Sequence, residues 1–177
     1  MLEVIENCCS SSYLDTLFQS AISSDNWHMR YPHNTPFDDR HLKIDVLANE
    51  ADQNVKRSFL AGMAMGLLVQ IFDKRDDLFL PQCLYCGISL KDKHRLDNTH
   101  TDHENELEFI KVFGLLNRDW DSKDGGSFLH GDKVIPMKPK TFVVFDPRIP
   151  HSASEIFTDK KRVGIDFTVK KRTRDNV

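Results

Sequence analysis

No run of apolar residues in this chain approaches the ~18 to 20 that a membrane-spanning helix needs. The opening segment, MLEVIENCCSSS, has no basic stretch followed by an apolar one, so neither an anchor nor a signal peptide is expected. Cysteine is scarce: four in 177 residues, in two pairs, Cys8–Cys9 and Cys83–Cys86. The second pair has the C-x-x-C spacing of half a zinc site or a redox pair. CLYCGISL reads as a strand, however, where residues three apart point to opposite faces, so buried or idle thiols are expected. An excess of positive charge is also missing. Lys and Arg number 24 against 27 Asp and Glu, a net charge of −3, which offers no general attraction to nucleic acid or an anionic membrane. The one basic cluster, KKRTR at 170–174, reads as a soluble terminus. Internal repeats and low-complexity tracts are absent. What remains is a globular composition, 40% hydrophobic with 12 Phe, long enough to bury a core as one domain over 1–177. A cytoplasmic protein is expected, its oligomeric state left open.

The first part of the chain, to about residue 75, reads helical. Tyr13, Leu14, Leu17, Phe18, Ala21 and Ile22 recur at helical spacing, and Ser12 with Asp15 resembles a capping box. Residues 26–50, punctuated by Pro32 and Pro36, read as irregular. A second helix follows, with Val55, Phe59, Met63, Leu67 and Ile71 on one side. From about residue 77 the period changes to two. Strands are predicted at 82–90, 95–101, 107–116, 127–130, 133–136, 141–145, 152–157 and 162–170. Short strands after two helices predict an α+β fold with the helices packed outside a β-barrel or sandwich. In RVGIDFTV, Val163, Ile165, Phe167 and Val169 alternate with Arg162, Gly164, Asp166 and Thr168. One face suits an apolar layer and the other a polar cavity.

THTDHEN at 99–105 packs His100, Asp102 and His103 together. Imidazole beside carboxylate is a ligand mixture for borderline divalent metals such as Fe(II) or Zn(II). On a strand, residues two apart share a face, so H-x-D offers two ligands at once. The third must come from elsewhere. His130 in FLHGD and His151 in FVVFDPRIPHSASEI are the candidates, with the distal His expected from a later strand on the opposite side of the barrel. Two His and one carboxylate leave coordination positions open for substrates. Arg162, eleven residues after His151, adds a guanidinium whose fork suits a carboxylate. A metal and a carboxylate anchor facing one cavity describe a pocket for a chelating keto-acid.

H-x-D at His100 and Asp102, then His151, then Arg162, resembles the 2-oxoglutarate- and Fe(II)-dependent oxygenases, which fold as a double-stranded β-helix (a cupin-like jelly roll). The likeness is closer to prolyl 4-hydroxylases, including the hypoxia-inducible-factor branch. It is carried by Tyr85 and Gly87 in YCG, His100-Thr101-Asp102, LNRDWDSKDGGSFL at 116–129, FDPRIPHSASEI and RVGIDFTV, and it covers about residues 78–170. The resemblance implies that His100, Asp102 and His151 hold Fe(II), that Arg162 pairs with the distal carboxylate of 2-oxoglutarate, and that Tyr85 lines the pocket. It implies Fe(II), 2-oxoglutarate and O₂ as requirements, with ascorbate optional. The implied reaction is hydroxylation of a substrate C–H, with a prolyl residue of a protein or peptide as favoured substrate and a free amino acid or other small molecule as alternative.

Two departures bear on this. Leu115 stands where the animal prolyl hydroxylases carry a cosubstrate-binding tyrosine, and the segment from Tyr85 to His100 is several residues longer. Asp102 disfavours a halogenase. A non-catalytic cupin-like metal-binding module would not require Arg162, and the acidic balance argues against a nucleic-acid demethylase. Trp120 reads as a structural plug, Gly125-Gly126 as a tight turn or bulge, and His103 as a neighbour of the metal ligands or a solvated residue. His28, His33, His41 and His94 carry no readable signal.

Overall fold

The structure, a computed structural model, describes residues 1–30, 41–48, 55, 58–75, 82–94, 97–102 and 107–171. Among the described residues, ten strands, two α-helices and a short 3-10 turn at Ser122–Asp124 are formed. The strands and α-helices are β1 (Leu2–Glu6), α1 (Ser11–Ile22), β2 (His28–Arg30), β3 (His41–Leu47), α2 (Phe59–Phe72), β4 (Gln82–Lys91), β5 (Phe109–Leu115), β6 (Phe128–His130), β7 (Lys133–Ile135), β8 (Thr141–Phe145), β9 (His151–Ala153) and β10 (Arg162–Lys170). Seven strands form one sheet in the order β1-β8-β5-β10-β4-β3-β2, and β7-β6-β9 form a second; every named pairing is antiparallel. This is a jelly-roll, double-stranded β-helix with helices on one outer face.

Alternation along the strands decides what each face of the large sheet does. Ile44 and Val46 of β3, Cys86 and Ile88 of β4, Ile110 and Val112 of β5, Phe142 and Val144 of β8, and the four odd-numbered apolar residues of β10 bury against Leu14, Leu17 and Ala21 of α1 and Leu60, Ala64, Leu67 and Ile71 of α2. Burying each large side chain contributes about 1.5–3 kcal/mol, so this layer holds the helices to the sheet. The opposite face looks toward the small sheet. At its closed end, Leu115, Val143 and Phe145 pack with Phe128, Trp120, Met137 and Ile156. At its open end, polar residues of β3, β4, β5 and β10 line a cavity. The expectation for β10 therefore holds on both faces.

Several expectations differ from what is observed. The cap of α1 is Ser10, whose Oγ accepts from the Tyr13 amide at 3.1 Å. Ser12 lies inside the helix, and Asp15 accepts from Arg118 instead of closing a box. Residues 26–50 were expected to be irregular, yet β2 and β3 lie there, and β1 opens the chain by pairing with β8. α2 begins only at Phe59, capped by Ser58, so Val55 precedes it. It buries Leu60, Ala64, Leu67, Leu68 and Ile71, whereas Phe59 is 66% exposed. A helix apolar nearly all round offers no single stripe to read. The strand predicted at 95–101 is absent among the described residues. His100 there forms an isolated bridge, and Arg95 and Leu96 lie outside the described residues, as do His33, His103 and the 172–174 part of the basic cluster. Ile156, placed in a strand at 152–157, is likewise a lone bridge, to Gly125. Cys83 and Cys86 are free thiols on one strand, Cys86 buried and Cys83 partly so.

Candidate metal centre

His100 and His151 are 51 residues apart in sequence and adjacent in space because their backbones bond reciprocally. The His100 amide donates to the His151 carbonyl at 3.0 Å and the His151 amide to the His100 carbonyl at 2.9 Å. Residues paired in this way project side chains to one side, and the two rings lie 4.6 Å apart between centroids. His151 thus arrives beside His100, not from across the barrel. The Asp102 amide donates to Pro147 O at 2.8 Å, which holds the H-x-D segment along the chain leading into β9. His100 Nδ1 lies 2.9 Å from Asn98 O, and His151 Nδ1 lies 2.9 Å from Ile149 O. A carbonyl only accepts, so each Nδ1 carries the proton and each Nε2 presents its lone pair. The ligand atoms of His100, Asp102 and His151 all lie within 4.8 Å of one another. Two neutral imidazoles and a carboxylate with an open side match the donor set of a 2-His-1-carboxylate iron site.

His130, the other candidate for the distal position, is paired in register with His151 across β6 and β9. Its Nε2 donates to Asp146 O at 3.2 Å, which takes it out of the cluster; burial holds its pKa below the usual value.

Asp102 accepts from Lys111 Nζ at 2.8 Å, and its Oδ2 lies 3.5 Å from His151 Nε2. Burial works to raise its pKa, but its contact with His151 and the charge and hydrogen bond of the Lys111 ammonium hold it well below the usual carboxylate range. Lys111 also lies 3.5 Å from Asp166 Oδ2. Burial alone would lower its pKa, and the two carboxylates raise it instead.

A cavity of about 520 Å³ opens over the triad and reaches Arg162. Arg162 is 1% exposed. One Nη donates to Gly126 O at 3.1 Å, the guanidinium carbon lies 5.1 Å from the Phe113 ring centroid, and Nε has no hydrogen-bond partner among the described residues. Burial holds its pKa down at about 10. A buried guanidinium with an orphan donor beside three metal-ligand candidates fits an anionic, metal-chelating cosubstrate. The turn that admits it uses Gly126, at φ +64°, where a Cβ would stand 2.8 Å from Arg162 Nε. Trp120 plugs the same turn, its indole donating to Gly125 O at 3.0 Å.

Tyr85 lies on an adjoining hollow of about 380 Å³ that shares Asp102, Lys111 and Asp166 with the main cavity. Its hydroxyl donates to Asp45 Oδ1 at 3.1 Å, and burial with nearby carboxylates pushes its pKa up. Arg162 does not line that hollow. Leu115 is fully buried in the cluster behind the site. His28 pairs with Asp45 and His94 with Glu155, while His41 lines the main cavity. Asp166 was expected on the cavity face of β10 and lies there; Lys43 and Lys111 were not singled out in the sequence. The available signal was a charged residue breaking the apolar runs HLKIDVL and FIKVFGL on the cavity-facing phase.

Fold and triad together define a class: a double-stranded β-helix with a facial pair of histidines and a carboxylate. No protein-family model and no curated protein matches the sequence. Among solved structures, the chain is similar to a Pseudomonas putida prolyl-4-hydroxylase (TM-score 0.67, 14% identity, 97% of this chain and 92% of that one). It is similar to HygX from Streptomyces hygroscopicus, solved with nickel, 2-oxoglutarate and hygromycin B bound (TM-score 0.66, 11% identity, 96% and 82%). A prolyl hydroxylase from Trichoplax adhaerens, in complex with a hypoxia-inducible-factor oxygen degradation domain peptide fragment, matches with TM-score 0.62, 16% identity, 96% and 83%. The chain thus has the fold seen in prolyl hydroxylases and 2-oxoglutarate-binding oxygenases over nearly its whole length.

Proposed function

We propose that this protein is a 2-oxoglutarate- and Fe(II)-dependent dioxygenase that hydroxylates an aliphatic C–H bond. The observation that carries the reading is one cavity holding both the His100–Asp102–His151 cluster, with each imidazole Nε2 turned outward, and the orphan donor of buried Arg162. His100, Asp102 and His151 would hold Fe(II), and Arg162 would pair with the distal carboxylate of 2-oxoglutarate. When bound, the metal and cosubstrate supply the oxidising chemistry: 2-oxoglutarate loses CO₂ to become succinate, and the oxygen atoms of O₂ end in succinate and in the new hydroxyl. The chain's own contribution is placement. The i−2 carbonyls of Asn98 and Ile149 orient the two rings, Lys111 holds the Asp102 carboxylate, and Phe113, Phe128 and Phe145 keep the inner wall of the cavity apolar.

The similarity to prolyl hydroxylases supports a prolyl residue of a protein or peptide as substrate. A small-molecule substrate is the second reading, favoured by the charged floor that Arg30, Lys43 and Asp166 give the cavity. A metal-binding module without turnover would leave the Arg162 donor without purpose. The test is anaerobic titration with Fe(II) and 2-oxoglutarate, following the visible charge-transfer absorption of the chelate. Wild type should develop the band and His151→Ala should not. Arg162→Ala should weaken 2-oxoglutarate by ~30-fold or more, since truncating one partner of a buried charge pair costs about 2–5 kcal/mol. A folded, iron-loaded protein without the band would sink the oxygenase reading.

A further inference from the structure

We propose that the cavity contains a second anion subsite, formed by Lys43 and Arg30, that takes the free carboxylate of a small substrate. The inference rests on the oxygenase reading of the cavity and extends it to substrate class. Lys43 projects from β3 onto the cavity floor and is 5% exposed. Its ammonium lies 3.6 Å from Asp45 Oδ1, beyond hydrogen-bond length, and 4.6 Å from the centroid of the Tyr85 ring. Among the described residues it makes no closer polar contact. Its ion pair with Asp45 leaves the ammonium without a hydrogen-bonded acceptor among the described residues, so a ligand acceptor can still be added. The other lysines of the floor are paired at hydrogen-bond length: Lys91 lies 2.5 Å from Asp97 and Lys111 lies 2.8 Å from Asp102. Arg162 is the anchor for the cosubstrate.

Arg30, on β2 next to β3, lines the same cavity and the adjoining hollow and has no ion pair among the described residues. Burial lowers the pKa of Lys43; the charge of Asp166 works against this, Arg30 adds to it, and the smaller effects of Asp45 and Lys111 oppose each other. An anion placed between Lys43 and Arg30 would offset the two cations and give Lys43 an acceptor closer than Asp45. Gly87 makes room for this arrangement: a Cβ there would stand 2.1 Å from Tyr85 Oη and 2.8 Å from Lys43 Cε. A carboxylate is the anion that suits two cations flanked by Asp45 and Asp166, because a doubly charged phosphate would face two carboxylates at once. An internal prolyl residue carries no such group, so the subsite favours a free acid over a peptide.

The test uses the full chain loaded with Zn(II) and saturated with 2-oxoglutarate, which blocks turnover. Acetate and the common L-α-amino acids are each compared with the corresponding amide by titration calorimetry. At least one carboxylate should bind about tenfold or more tightly than its amide, a difference of ~1.4 kcal/mol. Lys43→Met and Arg30→Ala should erase that preference, Lys43→Arg should keep part of it, and 2-oxoglutarate affinity should stay within about twofold in all three. A carboxylate preference that is absent from wild type, or that survives Lys43→Met, overturns the proposal. So does loss of 2-oxoglutarate affinity in Lys43→Met, which would assign Lys43 to the cosubstrate. Failure of wild type to bind metal and 2-oxoglutarate is a different outcome and removes the oxygenase reading itself.

Discussion

Lys111 bridges two half-buried carboxylates on the cavity floor. Its ammonium contacts Asp102 Oδ2 at 2.8 Å and Asp166 Oδ2 at 3.5 Å. It therefore both neutralises Asp166 and fixes the rotation of a candidate metal ligand. Partners that orient a ligand from behind typically change metal affinity or activity by about 10–100-fold when removed. Lys111→Met should therefore weaken Mn(II) or Ni(II) binding by roughly that factor, measured by competition with a chelating dye. The double variant Lys111→Met/Asp166→Asn separates the two roles. If Lys111 orients Asp102, the metal defect persists in the double variant; if it only neutralises Asp166, affinity returns. At the same scale, His100 and Asp102 could be read in the sequence as a ligand pair, but the reason they converge with His151 could not. H-x-D was expected to work by strand alternation, whereas one reciprocal backbone bridge does the positioning. A single bridge has no periodic signature.

Among the elements, β10 was the most legible, because nine residues alternating without interruption leave only one assignment of faces. β1, β2 and β3 were not. Their pairing is long-range, with Leu2 opposite Phe145 and Ile44 opposite Ile88, and β2 is three residues long with all three exposed, so local pattern carried little information. α2 misled for the opposite reason, since apolar residues on most sides blur the stripe that marks the buried face. The turn carrying Gly125 and Gly126 was read from its dipeptide, and its positive φ values agree. Gly126 also gives Arg162 its seat. Gly126→Ala should cost about 1–2 kcal/mol in backbone strain and lower the melting temperature by ~2–8 °C, taking about 2–4 °C per kcal/mol for a chain of this size. It should weaken 2-oxoglutarate at the same time, because the new methyl displaces the guanidinium. Gly62→Ala is the control: nothing lies within 4 Å of its Cβ position on the exposed face of α2, so stability should rise slightly.

For the molecule as a whole, acid should act through carboxylates whose partners hold them ionised. Asp146 accepts from both the backbone and the guanidinium of Arg148, and Asp124 from Lys160 and the Asp121 amide; both pKa values lie below the usual range for these reasons. A depressed native pKa means that the unfolded chain takes up protons first. The stabilisation is thus complete above the unfolded carboxylate value of about 4 and is lost as pH falls below it. Melting temperature should be flat above about pH 5 and decline steadily toward pH 2. Asp146→Asn should flatten part of the decline, and an unchanged slope would remove Asp146 from this role. The large sheet has a longer-term consequence. Its odd and even positions answer to different demands, one set to the helices and the other to whatever enters the cavity. A lineage could therefore exchange Lys43, Ser89 or Thr168 one at a time and try new chemistry on its guests without loosening the frame that carries them. The same separation makes those three positions a compact starting library for redirecting the protein in the laboratory.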